Sequence, residues 1–396
     1  MSKPPLTPRM LSALFTSGLL TFSGQSFASD SLGQALIQDA KIKFNLRLRA
    51  EEVSVSTTQD RDLTSLKSRI TYNSGQYLGF STLLEVDNVI HISEDEGGIA
   101  DPDGTEVNQA YIAWNGSDTT VKYGRQRILL DNQRFVGGVG FRQNEQTYDG
   151  FSIKNTSIAD TTLFIANVYN VNRIFGEDSP IGDHKNDTWM FNAKYTGLDA
   201  GTLSAYSYLI DNKNAAIYSS DTYGVRFSGQ TGKLKYTAEL ATQSDAGNNP
   251  KQYSAAYYLA EGAYAFSKIT VKAGYEVLGA DDADGQFITP LATLHKFQGW
   301  NDKFLGGGTG NILGGIEDLY LSASSKLGPV KVAAVYHQLV SNDSGASGMD
   351  DLGSEIGASF SGKVGPASLS LKVSRYHADD FSEDTTKIWL TAAAAF

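Results

Sequence analysis

The stretch Lys41-Ile42-Lys43-Phe44-Asn45-Leu46-Arg47-Leu48-Arg49 decides the fold. Ile42, Phe44, Leu46 and Leu48 occupy every second position, and Lys41, Lys43, Asn45, Arg47 and Arg49 fill the places between. A period of two puts the first set on one face of an extended strand and the second on the other. The same pattern recurs along the chain. Ile269, Val271, Ala273, Tyr275 and Val277 oppose Lys268, Thr270, Lys272, Gly274 and Glu276. Leu234, Tyr236, Ala238 and Leu240 oppose Lys233, Lys235, Thr237 and Glu239. At the end, Ile388, Leu390, Ala392, Ala394 and Phe396 share a face.

A soluble sandwich also alternates, with its apolar face turned inward. Two features point elsewhere. The repeats run about nine to eleven residues, the length a tilted strand needs to cross hydrocarbon. Their connections alternate short (73–76, 115–118, 229–233, 326–330) and long (88–105, 128–144, 171–186, 279–313), as periplasmic turns and extracellular loops do. The expected fold is all-β: a transmembrane antiparallel up-and-down β-barrel of eighteen strands, with sixteen as the alternative count. The location implied is the outer membrane of a Gram-negative bacterium. Forty Gly, 20 Tyr and 19 Phe against nine Pro suit many turns and aromatic girdles. The mean hydropathy of -0.26 hides such a barrel, because lipid-facing and lumen-facing residues cancel.

Residues 1–28 stand apart. Lys3 and Arg9 precede an apolar run over 10–22, and Ser26-Phe27-Ala28 supplies small residues for cleavage after Ala28. That order is a signal peptide, and the run is too short to span a bilayer as a helix. Residues 29–396 are expected to form one barrel domain. The terminal Phe396 resembles the C-terminal signal read by the outer-membrane assembly machinery. With no cysteine there is no disulfide framework and no thiolate metal site. A formal charge of -11 disfavours nucleic acid.

A barrel of this size leaves an aqueous lumen, so function depends on the polar faces. Alternation places Arg47, Arg49, Lys67, Arg69, Lys122, Arg226, Lys272 and Lys372 inside, with Glu85, Glu239, Glu276 and Asp318 as the accompanying acids. Basic rings favour anions, and the planar fork of arginine matches a carboxylate. Arg47, Arg69, Lys122, Arg226 and Lys272 are mid-strand and are candidates for a constriction. The competing reading pairs such residues with acids in a wall network, or with lipid phosphates at strand ends. Other acids gather in loops: Glu94-Asp95-Glu96, Asp101 and Asp103, Asp281, Asp282 and Asp284, and Asp379, Asp380, Glu383 and Asp384. A solvated charge run explains them. At a surface of lipopolysaccharide and outer-membrane lipid they could also share bridging calcium, though no metal-loop spacing is present. No cofactor is implied. The connection 279–313 carries Phe287, Leu291, Leu294, Phe297, Trp300 and Phe304, too apolar to hang in water. It is expected to fold over or into the mouth, with Phe297, Trp300 and Asp302 as mouth-loop candidates; packing on the outer rim is the alternative.

Two stretches carry a family resemblance. Tyr123-Gly124-Arg125-Gln126 is followed by Asp131, Asn132, Arg134, Gly137-Gly138, Phe141-Arg142-Gln143-Asn144 and Thr147-Tyr148-Asp149-Gly150. This series resembles the central motif of the alginate export family of outer-membrane porins, and Lys296-Phe297-Gln298-Gly299-Trp300-Asn301-Asp302 resembles a second family motif. The resemblance implies an eighteen-stranded barrel with an arginine-lined pore for a polyuronate. It adds Arg125, Arg134 and Arg142 as pore or loop-anchor candidates, with Asp149 as a partner for one of them. Alternation from Val121 and Tyr123 carries Arg125 to the lipid face unless the strand ends or bulges near Gly124. Every periplasmic turn is short, unlike the family's dedicated exporter, so the direction of transport and the solute stay open.

The leading function is a passive channel for anionic saccharides, alginate-like polymers or oligomers. The alternative is a general diffusion porin for small hydrophilic solutes. A surface adhesin rests only on the acidic loops. A barrel enzyme has five histidines (His91, His184, His295, His337 and His377) but no G-x-S-x-G or H-E-x-x-H string, so no catalytic residue is assigned.

Overall fold

The structure is a computed structural model that describes residues 30–95, 97–282 and 284–396. The proposed signal segment, with Ser26-Phe27-Ala28, and Glu96 of the first acidic run lie outside the described residues. A short helical turn, Gln34–Gln38, leads into the first strand at the periplasmic end. Eighteen strands follow: β1 (Lys41–Val55), β2 (Arg61–Asn73), β3 (Phe80–Asp95), β4 (Gly104–Gly116), β5 (Thr119–Gln126), β6 (Thr147–Asn155), β7 (Thr161–Asn172), β8 (Asp183–Leu198) and β9 (Gly201–Ile210). Then come β10 (Ser220–Thr231), β11 (Leu234–Asp245), β12 (Ser254–Phe266), β13 (Ile269–Leu278), β14 (Ile316–Leu327), β15 (Val330–Val340), β16 (Asp351–Val364), β17 (Ala367–His377) and β18 (Thr385–Ala395).

Each strand pairs antiparallel with the next, and β1 closes on β18 in the register Asn45↔Ala395 through Val55↔Thr385. Phe396 completes that seam: its N–H donates to the Phe44 carbonyl at 2.8 Å, and Phe44 returns the bond at 3.1 Å. Closure removes both edges, so every strand is paired on two sides. The count is eighteen, and the alternative of sixteen falls away. The strands run eight to sixteen residues, and eleven of the eighteen exceed the expected nine to eleven. The excess is extracellular, where β1, β2 and β3 carry Glu51, Glu52, Asp62, Glu94 and Asp95 on both faces, a composition hydrocarbon does not accept.

The faces follow the alternation. Ile42 is 61% exposed and Arg49, on the same strand, only 3%. In a bilayer protein that exposure is the lipid-facing surface. Phe44, Phe80, Tyr195, Phe266 and Phe360 stand outward near the periplasmic ends of their strands. Tyr123, Tyr169, Tyr223, Tyr258 and Tyr275 do so near the extracellular ends. These are two aromatic girdles with an apolar band between them. Periplasmic connections hold two to six residues, and extracellular ones five to thirty-seven. The two longest, 127–146 and 279–315, turn inward.

Candidate pore constriction

The 127–146 loop leaves β5 beside a pair of facing glycines, Gly124 and Gly150. Gly124 has φ +123°, and a Cβ there would sit 2.3 Å from the Ala110 carbonyl oxygen; one on Gly150 would sit 2.1 Å from that of Asn167. Only glycine permits this approach, which explains both motif positions. Inside the barrel the loop zips against 279–315. Gly137 N–H donates to the Leu291 carbonyl at 2.8 Å, Thr293 N–H to that of Gln133 at 3.0 Å, and Lys296 Nζ to that of Asn132 at 2.8 Å. The Tyr148 hydroxyl donates to the Gly137 carbonyl at 2.7 Å. Phe135 and Phe287 join the wall tyrosines in one apolar cluster, with Phe135 5.1 Å from Tyr257 and 5.4 Å from Tyr206, centroid to centroid. Phe287 and Leu291 of the long loop thus pack in this core within the lumen, and Phe304 packs in a second cluster with Tyr376 and Phe381, so the outer-rim alternative does not hold.

A charged node ties this plug to the wall. Arg142 donates to Glu51 at 2.9 Å and to Asp302 at 3.0 Å. Asp302 also receives Lys387 Nζ at 3.3 Å and faces His295 Nδ1 at 2.8 Å. Lys372 Nζ lies 2.7 Å from His295 Nε2 and 3.9 Å from the Trp300 ring centroid. An ammonium only donates, so Nε2 accepts and the Nδ1–H points at Asp302. Burial, reinforced by Lys372 and Arg142 and only partly opposed by Asp302, lowers the His295 pKa to about 3 and keeps it neutral. Burial opposes the Asp302 charge, but His295, Lys387 and Arg142 override it and hold that carboxyl well below its usual range. Burial likewise opposes the Arg142 charge, and Glu51 and Asp302 override it, so its pKa is raised. Arg47 reaches across from β1, donating to Gln143 Oε1 at 2.7 Å and to the Gly140 carbonyl at 2.9 Å, with a further bond to the Arg142 carbonyl.

On the periplasmic side of this partition lie two recesses. The first, about 810 Å³, is lined by β1–β4, the 127–146 loop and the closing strands. Arg69 forks onto Asp87 (2.6 and 2.5 Å) and meets Glu145 at 3.0 Å; Lys67 stands 3.7 Å from Asp87. Arg127 donates to both Glu85 and Glu145. Burial alone would raise the Glu145 pKa, but Arg69, Arg127 and Lys67 lower it to about 2. Six basic side chains line this recess (Lys43, Arg47, Lys67, Arg69, Arg127 and Lys363) against two carboxylates, Glu85 and Glu145. The second recess, about 310 Å³, lies between β10–β15 and the long loop. There Arg226, Lys272 and Lys296 meet Glu261, Glu276 and Asp318, three against three.

The candidate residues thus separate into classes. Arg47, Arg69, Arg226 and Lys272 reach the recesses, and Lys122 faces the lumen over the Tyr111 ring at 4.6 Å. Arg134, Arg142 and Arg49 are not open lining. Arg134 is fully buried, bonded to Glu276 at 2.8 Å and stacked 4.8 Å from Phe297. Arg49 is buried 3.5 Å from Asp101 and over Phe141. Arg125 turns outward beside Tyr123 and forks onto Asp149 at 2.9 and 3.3 Å, where it braces the outer rim. Asp101 is not solvated: it is buried and accepts from Gln143 N–H at 2.6 Å. Phe297 and Trp300 border the second recess, and Asp302 sits in the partition. Sequence reasoning missed Arg127, Glu145, Asp87 and Glu261. Arg127 adjoins the Tyr123–Gln126 motif but shares the outward parity of Tyr123 and Arg125, so only the turn of the chain past the strand end brings it inside and alternation gives no signal for it.

A model of the alginate export family matches residues 38–304, which is 267 of the 396 positions. No curated protein matches the sequence. Among solved structures the fold is similar to that of Pseudomonas aeruginosa OccK3 (OpdO), with TM-score 0.72 and 16% identity over 92% of this chain and 97% of that one. It is also similar to Acinetobacter baumannii OccAB2, with TM-score 0.74 and 14% identity over 91% and 99%. Pseudomonas aeruginosa OccD3 (OpdP) gives TM-score 0.70 and 13% identity over 94% of each chain. At these identities the likeness carries the barrel architecture, and the family model carries the kinship. This chain belongs to the alginate export family and is a porin channel of the Gram-negative outer membrane.

Proposed function

We propose that the channel passes anionic saccharides, alginate-like polymers or oligomers, by diffusion along the β1–β4 wall. The observation that carries this reading is the excess of cations at the 810 Å³ recess: six line it against Glu85 and Glu145, and with Asp87 behind Arg69 and Lys67 the balance is six to three. In a narrowed lumen with low-dielectric walls such an excess focuses the field and raises the local concentration of anions. Arg69 and Arg127 are held by Glu85, Asp87 and Glu145, which fixes their guanidinium planes. Lys43, Arg47 and Lys363 then supply the surplus charge, and an incoming carboxylate would compete for the donors.

The general diffusion porin is the second reading, and the balanced charges of the other recess favour it. Planar-bilayer recording in a salt gradient separates the two, together with liposome swelling by a uronate and a neutral sugar of equal size. Anion-selective reversal potentials and faster uronate entry are expected. Cation selectivity, or equal entry of the two sugars, would overturn the proposal.

A further inference from the structure

A third recess, about 380 Å³, opens on the extracellular side of the partition. Its floor holds Arg142 and Asp302, which satisfy one another at 3.0 Å. Its remaining charge is Arg173, and no carboxylate pairs with this guanidinium among the described residues. Arg125, Arg134 and Arg142 each meet a carboxylate within 3.0 Å. Three extracellular loops converge on Arg173, and none brings it an acid. Arg173 follows β7, and its backbone N–H donates to the Gly182 carbonyl at 2.7 Å, closing the 173–182 loop. The guanidinium carbon lies 4.9 Å from the Phe175 ring centroid and 5.8 Å from that of Tyr218, on the 211–219 loop. The Tyr218 hydroxyl donates to the Gly307 carbonyl at 2.6 Å, which fixes its ring against the 279–315 loop. Gly308 holds φ +106°, and a Cβ there would sit 2.9 Å from Arg173 Nη2, so glycine leaves room for the guanidinium.

His184 Nε2 lies 3.5 Å from Arg173 Nη1 but is no acceptor for it. Asn212 Oδ1 accepts from the Asn214 and Ala215 N–H groups at 3.0 and 2.8 Å, so Asn212 Nδ2 donates to His184 Nδ1 at 2.9 Å. The neutral imidazole then carries its hydrogen on Nε2. Burial lowers the Arg173 pKa, and what opposes burial is the Tyr218 hydroxyl. A guanidinium nevertheless stays charged in a protein. Aromatic rings hold a cation in place through their quadrupoles without neutralising it. Arg173 therefore presents an uncompensated charge and a planar fork of donors to the recess, the geometry that binds both oxygens of a carboxylate. The other walls include the apolar side chains of Pro290, Leu294 and Leu305, which suit the C–H face of a sugar ring. The volume falls within the range of small-molecule sites.

We infer that this recess is an outer docking site for one ring of an acidic saccharide, with the ring's carboxylate on the Arg173 fork and its C–H face on the apolar wall. The inference rests on the reading of the solute as an acidic saccharide, but not on the basic recess below the partition. The test is current interruption of the full-length channel in planar bilayers by trimannuronate, with mannotriose as its neutral counterpart. Trimannuronate should interrupt the current in a concentration-dependent way, and mannotriose should not. Arg173→Gln should raise the half-blocking concentration about tenfold, and Arg173→Lys, which keeps the charge and loses the fork, should raise it less. Heat-modifiable migration of each variant checks that the barrel is folded. Equal interruption by the two sugars, interruption by neither, or one half-blocking concentration for wild type and folded Arg173→Gln overturns the inference. A lysine variant that loses as much as the glutamine variant assigns the effect to loop packing and overturns it too. Reversal potentials are read in the same recordings. Anion selectivity with interruption indifferent to Arg173 keeps the basic-wall reading and overturns this one; cation selectivity with Arg173-dependent interruption overturns the basic wall and leaves the outer site standing.

Discussion

Two walls of one lumen, built by the same alternation, end with different electrostatics, one basic and one balanced. On β1–β4 the inward positions give Arg47, Lys67 and Arg69, and the 127–146 loop adds Arg127, against Glu85 and Glu145 in the recess and Asp87 beside it. On β10–β15 the wall cations that reach the recess meet inward acids: Arg226 bonds Glu239, and Lys272 bonds Glu261. A cation count alone does not distinguish these walls. The difference lies in where the acids sit, and it divides the lumen into a charged track and a neutral shelf. Between them and the extracellular mouth stands the partition around Asp302.

The largest expected effect comes from breaking that partition. Asp302 is the shared partner of Arg142, Lys387 and His295. Asp302→Asn would leave two buried cations facing a neutral amide. Removing one member of a buried pair costs about 3–5 kcal/mol. We expect the 279–315 loop to detach locally, with single-channel conductance raised severalfold and the loop opened to protease. A variant with wild-type conductance and protection would show that the apolar cluster alone holds the plug, and that the two walls do not depend on a common partition.

The second effect compares the walls directly. Lys43→Gln with Lys363→Gln should cut the reversal potential in a salt gradient by about half, because both belong to the uncompensated surplus. Lys272→Gln should move it the other way or very little, since it exposes Glu261 in a recess that is otherwise neutral. Equal shifts from the two walls would erase the distinction.

How much of this was legible in the sequence follows from the range of each interaction. Strand faces are local: Ile42 and Arg47 declare theirs within a few residues, and the barrel, its closure at the last strand and the inward cations follow from that. Pairing is not local. Arg142 finds Glu51 across 91 positions and Asp302 across 160. Parity within a strand carries no information about a loop that returns from so far, so Arg49 reads as open lining when it is buried against the plug, and for Arg134 and Arg142, named by the motif as pore or loop-anchor candidates, the structure selects the anchor role. Arg125 shows the reverse case: the period of two correctly sent it outward, and the family motif pulled it inward. Glu145 was hidden because loop residues have no parity to read at all; Asp302 was singled out only through the family motif, without its partners. The apolar content of 279–313 was the one loop property that local reasoning could use, since six large apolar side chains need burial wherever the backbone goes.

The smallest effect is a pH dependence, and it separates the partition from the charged wall. His295 normally titrates near 6.5 and is held at about 3 by burial, so a released loop binds its proton more readily than the docked one. Its contribution to docking is complete above pH 6.5 and declines as pH falls toward 3. Glu145 normally titrates near 4.5 and is held at about 2 by Arg69, Arg127 and Lys67, after burial has acted the other way. Its contribution, about 3 kcal/mol, is complete above pH 4.5 and is lost only as pH falls toward 2. Acid should therefore loosen the plug in two stages, the partition first and the wall contact second. Conductance and its noise should be steady near neutral pH and rise as the pH drops through the range between His295 and Glu145. His295→Gln keeps a donor for Asp302 and an acceptor for Lys372 but does not titrate, so it should delay the onset to below pH 4.5, leaving only the Glu145 stage. An onset that stays where it was in the wild type would place the acid-sensitive contact elsewhere than at His295.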